Sequence, residues 1–205
     1  MKFPPSIKTK YTTRIFNNKY KYKAVIISKG SSFFRGNNLD FVKESLKLNS
    51  KLSQEDQAYL LKLYTFLKKS NDYNIRVESP LLSYYTNNAV DLEKIVKLDP
   101  TRIKYISYPQ PGSETILDDK KIIVKNLDYE FKVTMGATRQ DYHSFLNWCE
   151  DKQLKVKLPK RAQKQLGKDR SWGGYYFYVK DEKTLTMVKM FLGGYIQSVE
   201  QLVKA

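Results

Sequence analysis

The sequence predicts an α+β fold: two successive copies of one unit, each running strand, helix, strand, strand, helix, strand, behind a basic N-terminal arm. Three observations predict it. The hydrophobic pattern passes between a period of two and a period of 3.6 in that order twice. A gapless shift of 93 residues lays Tyr85 on Tyr178, Leu92 on Leu185, Ile95 on Val188, Leu98 on Phe191, Ile103 on Ile196 and Ile106 on Val199. A polar stretch with two prolines and a glycine, residues 109–121 (PQPGSETILDDKK), separates the two patterned regions. The boundary falls near residue 114, giving an arm over 1–19 and units over 20–113 and 114–205.

Pro4 and Pro5 disfavour helix, so residues 1–19 read as an extended lead-in. Lys2, Lys8, Lys10, Arg14, Lys19, Lys21, Lys23, Lys29 and Arg35 all precede the first acidic residue, Asp40. Such an arm is either a phosphate clamp or a terminus without fixed structure. Tyr20 to Ser28 (YKYKAVIIS) alternates and ends in β-branched residues, the pattern of a strand. The loop Lys29 to Asn38 (KGSSFFRGNN) carries Phe33, Phe34 and Arg35 at its centre. These rings either plug the core or, with Arg35, hold a base or a phosphate. Leu39, Val42 and Leu46 mark a short amphipathic helix. Ser53 caps a stronger one, with Glu55 and Asp56 in its first turn, Lys68 and Lys69 in its last, and Leu60, Leu63, Tyr64 and Leu67 as its stripe. Strands over Asn74 to Ser79 and Leu81 to Thr86 flank Pro80. A helix over Asp91 to Leu98 and a strand over Arg102 to Tyr108 complete the unit.

The second unit begins with a strand-rich stretch, Ile122 to Met135, with a turn or bulge at Asp128. Thr138 to Glu150 reads as a helix capped by Thr138, with Asp141 returning the bond. Leu154 to Leu158 alternates as a strand, residues 155–170 form a basic loop, and Tyr175 to Lys180 is the next strand. Asp181 or Thr184 opens a helix that Gly193 and Gly194 end, and Tyr195 to Val203 is the last strand. This order is that of the ferredoxin-like βαββαβ fold, an antiparallel sheet with its helices on one face. The other face is then open to a partner.

Charge narrows the partner. Lys and Arg number 37 against 21 Asp and Glu, a formal net charge of +16. Self-repulsion at that charge is relieved by an anionic partner: nucleic acid first, then an acidic protein or membrane surface. Cys149 is the one cysteine, which excludes an intrachain disulfide and fits a reducing compartment. No run of 18 apolar residues and no apolar leader segment is present. The expectation is therefore a cytoplasmic protein with no membrane partner. The abundance of Lys, Asn, Ile and Tyr fits an AT-rich genome such as a phage's, for which the host cytoplasm is the compartment.

The charge is concentrated in one stretch. Lys155, Lys157, Lys160, Arg161, Lys164, Lys168 and Arg170 face only Asp169 there, and Trp172, two glycines and Tyr175 to Tyr178 follow. Cations neutralise phosphates and flat rings stack on unpaired bases. The candidate nucleic-acid-binding set is those seven cations with Trp172, Tyr176, Tyr178 and, from the first half, Arg35. The plainer alternative is a solvated loop beside a half-buried strand.

The segment GGYYFYVKDEKTLTMVKMFLGGYI resembles the RNP1 strand, second helix and last strand of an RNA recognition motif, whose signature is [KR]-G-[FY]-[GA]-[FY]-V-x-[FY]. Aligning Gly174 with the signature glycine puts Tyr175 and Phe177 at its aromatic positions; aligning Val179 with the signature valine puts Tyr176 and Tyr178 there. The sequence departs from the signature in having a glycine where a cation is usual. Two tandem units of this kind are also similar in layout to the RAMP-type CRISPR ribonucleases. The resemblance implies a ferredoxin-like topology and an RNA or DNA partner.

Catalytic constellations are sparse. His143 is the only histidine, which excludes histidine metal clusters, and no Ser-His-Asp, His-Cys or His-x-His constellation is read around it. The acidic pairs Asp118–Asp119 and Glu150–Asp151 sit in the linker and at a helix end. No catalytic residue, metal or cofactor is expected. The reading is a non-enzymatic nucleic-acid-binding protein, with a protein partner or self-association open. The alternatives are a viral or phage structural or assembly protein and a metal-independent ribonuclease using His143.

Overall fold

A computed structural model describes residues 3–37, 39–48 and 51–204; Lys2, the first cation of the arm read above, and Asn38, the last residue of the loop read over 29–38, lie outside them. The fold is mixed α+β, with two five-stranded sheets. The chain divides into two units, Met1–Asp118 and Asp119–Ala205.

In the first unit the elements are β1 (Thr9–Thr12), β2 (Tyr22–Ile27), a 3-10 helix (Ser31–Asn37), α1 (Val42–Leu48), α2 (Gln54–Lys69), β3 (Tyr73–Glu78), β4 (Leu81–Thr86), α3 (Ala89–Leu98), a 3-10 turn (Pro100–Arg102) and β5 (Ile103–Pro109). The sheet order is β1-β5-β2-β4-β3. β1 pairs parallel to β5, and the other pairs are antiparallel. Strand alternation sends Tyr22, Ala24, Ile26, Leu82 and Tyr84 to one face, where they meet Leu60, Leu63 and Leu67 of α2 and Leu92 and Ile95 of α3. Each of those leucines, fully buried, contributes roughly 1.5–3 kcal/mol. Phe34 is buried in this core and Phe33 packs against it, so the rings of residues 29–38 serve packing. The arm read as extended supplies β1.

Residues 53–56 cap α2 as its sequence dictates: the Ser53 hydroxyl accepts from the Asp56 amide at 3.1 Å. Asp56 then anchors Arg102, whose Nη1 lies 2.6 Å from Asp56 Oδ1 and whose Nε lies 3.0 Å from Asp99 Oδ2. The guanidinium sits 4.7 Å over the Tyr59 ring. This clamp ties the start of α2 to the turn before β5.

The second unit holds β6 (Lys121–Val124), β7 (Phe131–Met135), α4 (His143–Asp151), β8 (Val156–Lys157), α5 (Lys160–Leu166), β9 (Tyr176–Val179), α6 (Glu182–Leu192), a 3-10 turn (Gly193–Tyr195) and β10 (Ile196–Lys204). Its sheet order is β6-β10-β7-β9-β8, with β6 parallel to β10 and the rest antiparallel. Val133, Met135, Phe177 and Val179 face Phe145 of α4, Ala162 and Leu166 of α5, and Leu185 and Val188 of α6.

The two sheets share register in detail. Lys23 pairs with Tyr85 and Ser107 in the first. Lys132 pairs with Tyr178 and Glu200 in the second. Tyr178 and Glu200 each lie 93 residues beyond their counterparts. Both last strands break register at one extra residue, Lys104 and Gln197, again 93 apart. The N-caps Asn88 and Asp181 and the two 3-10 turns obey the same shift.

Two local expectations are corrected. α4 starts at His143, not near Thr138, and its N-cap Tyr142 makes no side-chain cap. Thr138 instead exchanges backbone hydrogen bonds with Ser171, at 2.8 and 3.1 Å. A strand-like bridge to a distant segment outcompetes a local cap. Residues 155–170 are not one loop: Val156–Lys157 form β8 and Lys160–Leu166 form α5. Ala162 and Leu166, one turn apart, bury completely and give the basic stretch a helical core face.

Candidate functional site

Packing of Ala162 and Leu166 inward turns Lys160, Arg161 and Lys164 outward on α5. Gly167 ends the helix, its amide donating to the Gln163 carbonyl at 3.1 Å, and the Leu166 carbonyl accepts from the Tyr142 amide at 2.9 Å. Lys168 and Arg170 follow, both exposed. Among the described residues no carboxylate lies within ion-pair distance of Lys160, Arg161, Lys164, Lys168 or Arg170. Lys157 is exposed on β8. Lys155 stands near Asp181, whose carboxyl is held below the usual range first by the Thr184 amide and hydroxyl and then by the field of Lys155 and Lys180.

The chain after α5 is fixed by backbone bonds. Besides the Thr138–Ser171 exchange, the Gly174 amide donates to the Met135 carbonyl and the Gly136 amide to the Tyr195 carbonyl, each at 2.8 Å. Three segments, around 136–138, 171–174 and 195, are thereby laced together. Gly173 makes this possible: its φ is +77°, and a Cβ there would stand 2.4 Å from the Gly136 carbonyl carbon. Trp172, between Ser171 and Gly173, is the most exposed ring among the described residues, at 88%.

A groove of about 390 Å³ opens beside this lacing, lined by Ala137, Thr138, Arg139, Arg170, Ser171, Trp172 and Tyr195. Arg139 is exposed, and among the described residues no carboxylate is within ion-pair distance of it. Tyr195 packs edge-on against Tyr142 with centroids 6.0 Å apart. Tyr195 lies 93 residues beyond Arg102. Where the first unit closes that position with an ion-paired arginine, the second presents a ring to a groove. A smaller hollow of about 140 Å³ brings Arg161 of α5 beside Gly174 and Tyr176.

β9 sorts its rings by face. Tyr175 and Phe177 are buried under the helices at 2% and 0% exposure and offer nothing to a partner. Tyr176 and Tyr178 alternate to the helix-free face, the pair of positions that the alignment on Val179 selects. Tyr178 is half-buried between Tyr176 and Tyr129, at centroid distances of 5.6 and 6.2 Å. Lys132 reaches over the Tyr176 ring at 4.9 Å and is paired with Glu200 at 2.8 Å. Lys132 is thus neutralised within the unit, whereas Lys157, opposite Tyr178 on β8, is exposed on the same face, and α5 and the groove carry further cations with no carboxylate in ion-pair distance among the described residues.

Of the residues read from sequence, the structure brings Arg170 with Trp172 to the groove and Arg161 with Tyr176 to the neighbouring hollow. Arg35 belongs to the first unit, exposed in its 3-10 helix. Arg139 and Tyr195 were not visible as site residues. For Tyr195 the one signal was the 93-residue shift, which aligns it with Arg102, and Arg139 had none. His143 is exposed at the start of α4, its amide donating to Asp141 Oδ1 at 3.2 Å. Among the described residues no cluster of His, Cys, Asp and Glu is placed to hold a metal ion, and no helix is long and apolar enough to cross a membrane.

No family model matches the chain, and no curated protein or solved structure matches it significantly.

Proposed function

We propose that the chain is a nucleic-acid-binding protein built of two ferredoxin-like units, each extended by a parallel edge strand. The orders β5-β2-β4-β3 and β10-β7-β9-β8, with helices on one face, support that topology. One observation carries the functional reading. Five cations, Lys160, Arg161, Lys164, Lys168 and Arg170, have no carboxylate within ion-pair distance among the described residues, and the last of them lines the same groove as the most exposed ring. Holding like charges together without counterions opposes folding, and a polyanion relieves that cost. The phosphates of a strand would lie along α5 and the turn after it.

The test is filter binding of labelled single- and double-stranded DNA and RNA across a salt series. The fourfold variant Lys160→Ala, Arg161→Ala, Lys164→Ala, Lys168→Ala should lose most of the affinity of the parent chain. Undiminished affinity in a folded variant overturns the assignment of α5. Absence of binding by the parent at low salt overturns the function.

A further inference from the structure

We infer that the groove beside Trp172 takes one unpaired nucleotide, its base stacked on the Trp172 indole and its phosphate held by Arg139 and Arg170. This rests on the nucleic-acid reading and narrows it to single strands over duplexes.

Size, chemistry and rigidity converge on that occupant. At about 390 Å³ the groove lies near the lower end of small-ligand clefts, which run from about 300 to 1,000 Å³. It holds one nucleotide and is too small for a base pair with its neighbours. A ring 88% exposed at a pinned backbone site offers a flat apolar face that a base can cover. In a duplex each base face is already covered by its neighbours in the stack, so only an unpaired base can take this one. Arg139 and Arg170 come to the same groove from two different segments. Their planar guanidinium groups suit bidentate contact with phosphate oxygens. The Thr138–Ser171 bridge and the Gly136 and Gly174 amide bonds set these walls before any ligand arrives. Little ordering cost then remains to be met on binding. Tyr195 closes one side of the groove as a second ring.

The experiment reads Trp172 directly. The chain has two tryptophans. Trp148 is half-buried against Phe145 and Phe191, so Trp148→Phe leaves Trp172 as the sole indole emitter. In that background, emission is titrated with oligodeoxythymidine, with oligouridine and with a duplex of equal length, and filter binding is run in parallel. At least one single strand should quench Trp172 saturably, and should bind about 10-fold or more tighter than the duplex. Trp172→Ala should weaken single-strand binding about 5- to 150-fold, the range that loss of one stacked base produces, and leave duplex binding unchanged. Trp172→Phe should recover part of the loss. Because the indole is exposed, the alanine variant should match the parent by circular dichroism. Salt-sensitive filter binding without quenching overturns the groove assignment and leaves the nucleic-acid reading standing. Equal affinity for duplex and single strand overturns the preference. No binding in either format overturns both readings.

Discussion

At the scale of single residues, Gly173 decides the geometry of the groove. Its positive φ costs an alanine about 1–2 kcal/mol, and the Cβ would collide with the Gly136 backbone, which cannot rotate away. Gly174 also has a positive φ, +72°, but nothing stands within 4 Å of its Cβ position. Gly173→Ala should therefore lower stability by about 1–3 kcal/mol more than Gly174→Ala, an overpacking cost that urea unfolding would register. Arg102 makes a second prediction. Its hydrogen bond, then that of Ser53, holds the Asp56 carboxyl below the usual range. A depressed carboxyl stabilises the fold above its unfolded-state value of about 4, and that contribution disappears as pH falls through the folded-state value. Arg102→Ala should cost about 1.5–3 kcal/mol at neutral pH, and the gap to the parent should narrow at about pH 3 and below, measured by urea unfolding at both pH values. Both residues illustrate what sequence leaves unsaid. Ser53, Glu55 and Asp56 announce a helix start, but Arg102 lies far along the chain from the carboxylate it grips. Trp172 is conspicuous beside two glycines, whereas Arg139 joins it only through a bridge that no local pattern encodes.

At the scale of elements, α5 is where charge concealed structure. Its exposed face is so dense in cations that residues 155–170 read as a loop, and only the one-turn spacing of Ala162 and Leu166 betrays a helix. That spacing is short of the two turns that make a periodic pattern persuasive. Leu166 is fully buried, so Leu166→Ala should cost about 2–5 kcal/mol in urea unfolding, a value no solvated loop residue would give. Strands β2 to β5, β9 and β10 and the longer helices are legible within a few residues because each has one face in the core. The parallel edge strand β1, buried only at Thr12, reads instead as an extended arm, and β6 merges into one strand-rich stretch, so the sequence leads to an all-antiparallel sheet. The start of α4 was not legible, since Thr138 has capping chemistry yet spends its backbone bonds on Ser171. The 3-10 helix over Ser31–Asn37 was not anticipated either, although the burial of Phe34 follows from its apolar side chain.

At the scale of the whole molecule, a net charge of +16 makes ionic strength the controlling variable. If α5 contributes four phosphate contacts, the fourfold alanine variant should lower the slope of log affinity against log salt by about 3, checked in the same filter-binding series. The internal repeat was readable only in part. The shift of 93 holds from β4 and β9 onward. Lys23 on β2 and Lys132 on β7 are 109 residues apart, because α1, α2 and their connections occupy more chain than α4 does. A gapless comparison cannot cross that difference. The connection between β3 and β4 is two residues, whereas α5 and the Trp172 segment occupy the same place in the second unit.

The shared irregularity at Lys104 and Gln197 has a practical consequence. Residues 81–109 and 174–202 have equal length and carry their helix cap, turn and bulge at the same offsets. Exchanging them needs no insertion or deletion and keeps the antiparallel register of β4 on β2 and of β9 on β7 in step, though the parallel edge strands β1 and β6 pair two residues apart, and it moves Arg102 and Tyr195 into each other's surroundings. The protein thus contains its own toolkit for separating what its framework does from what its side chains do.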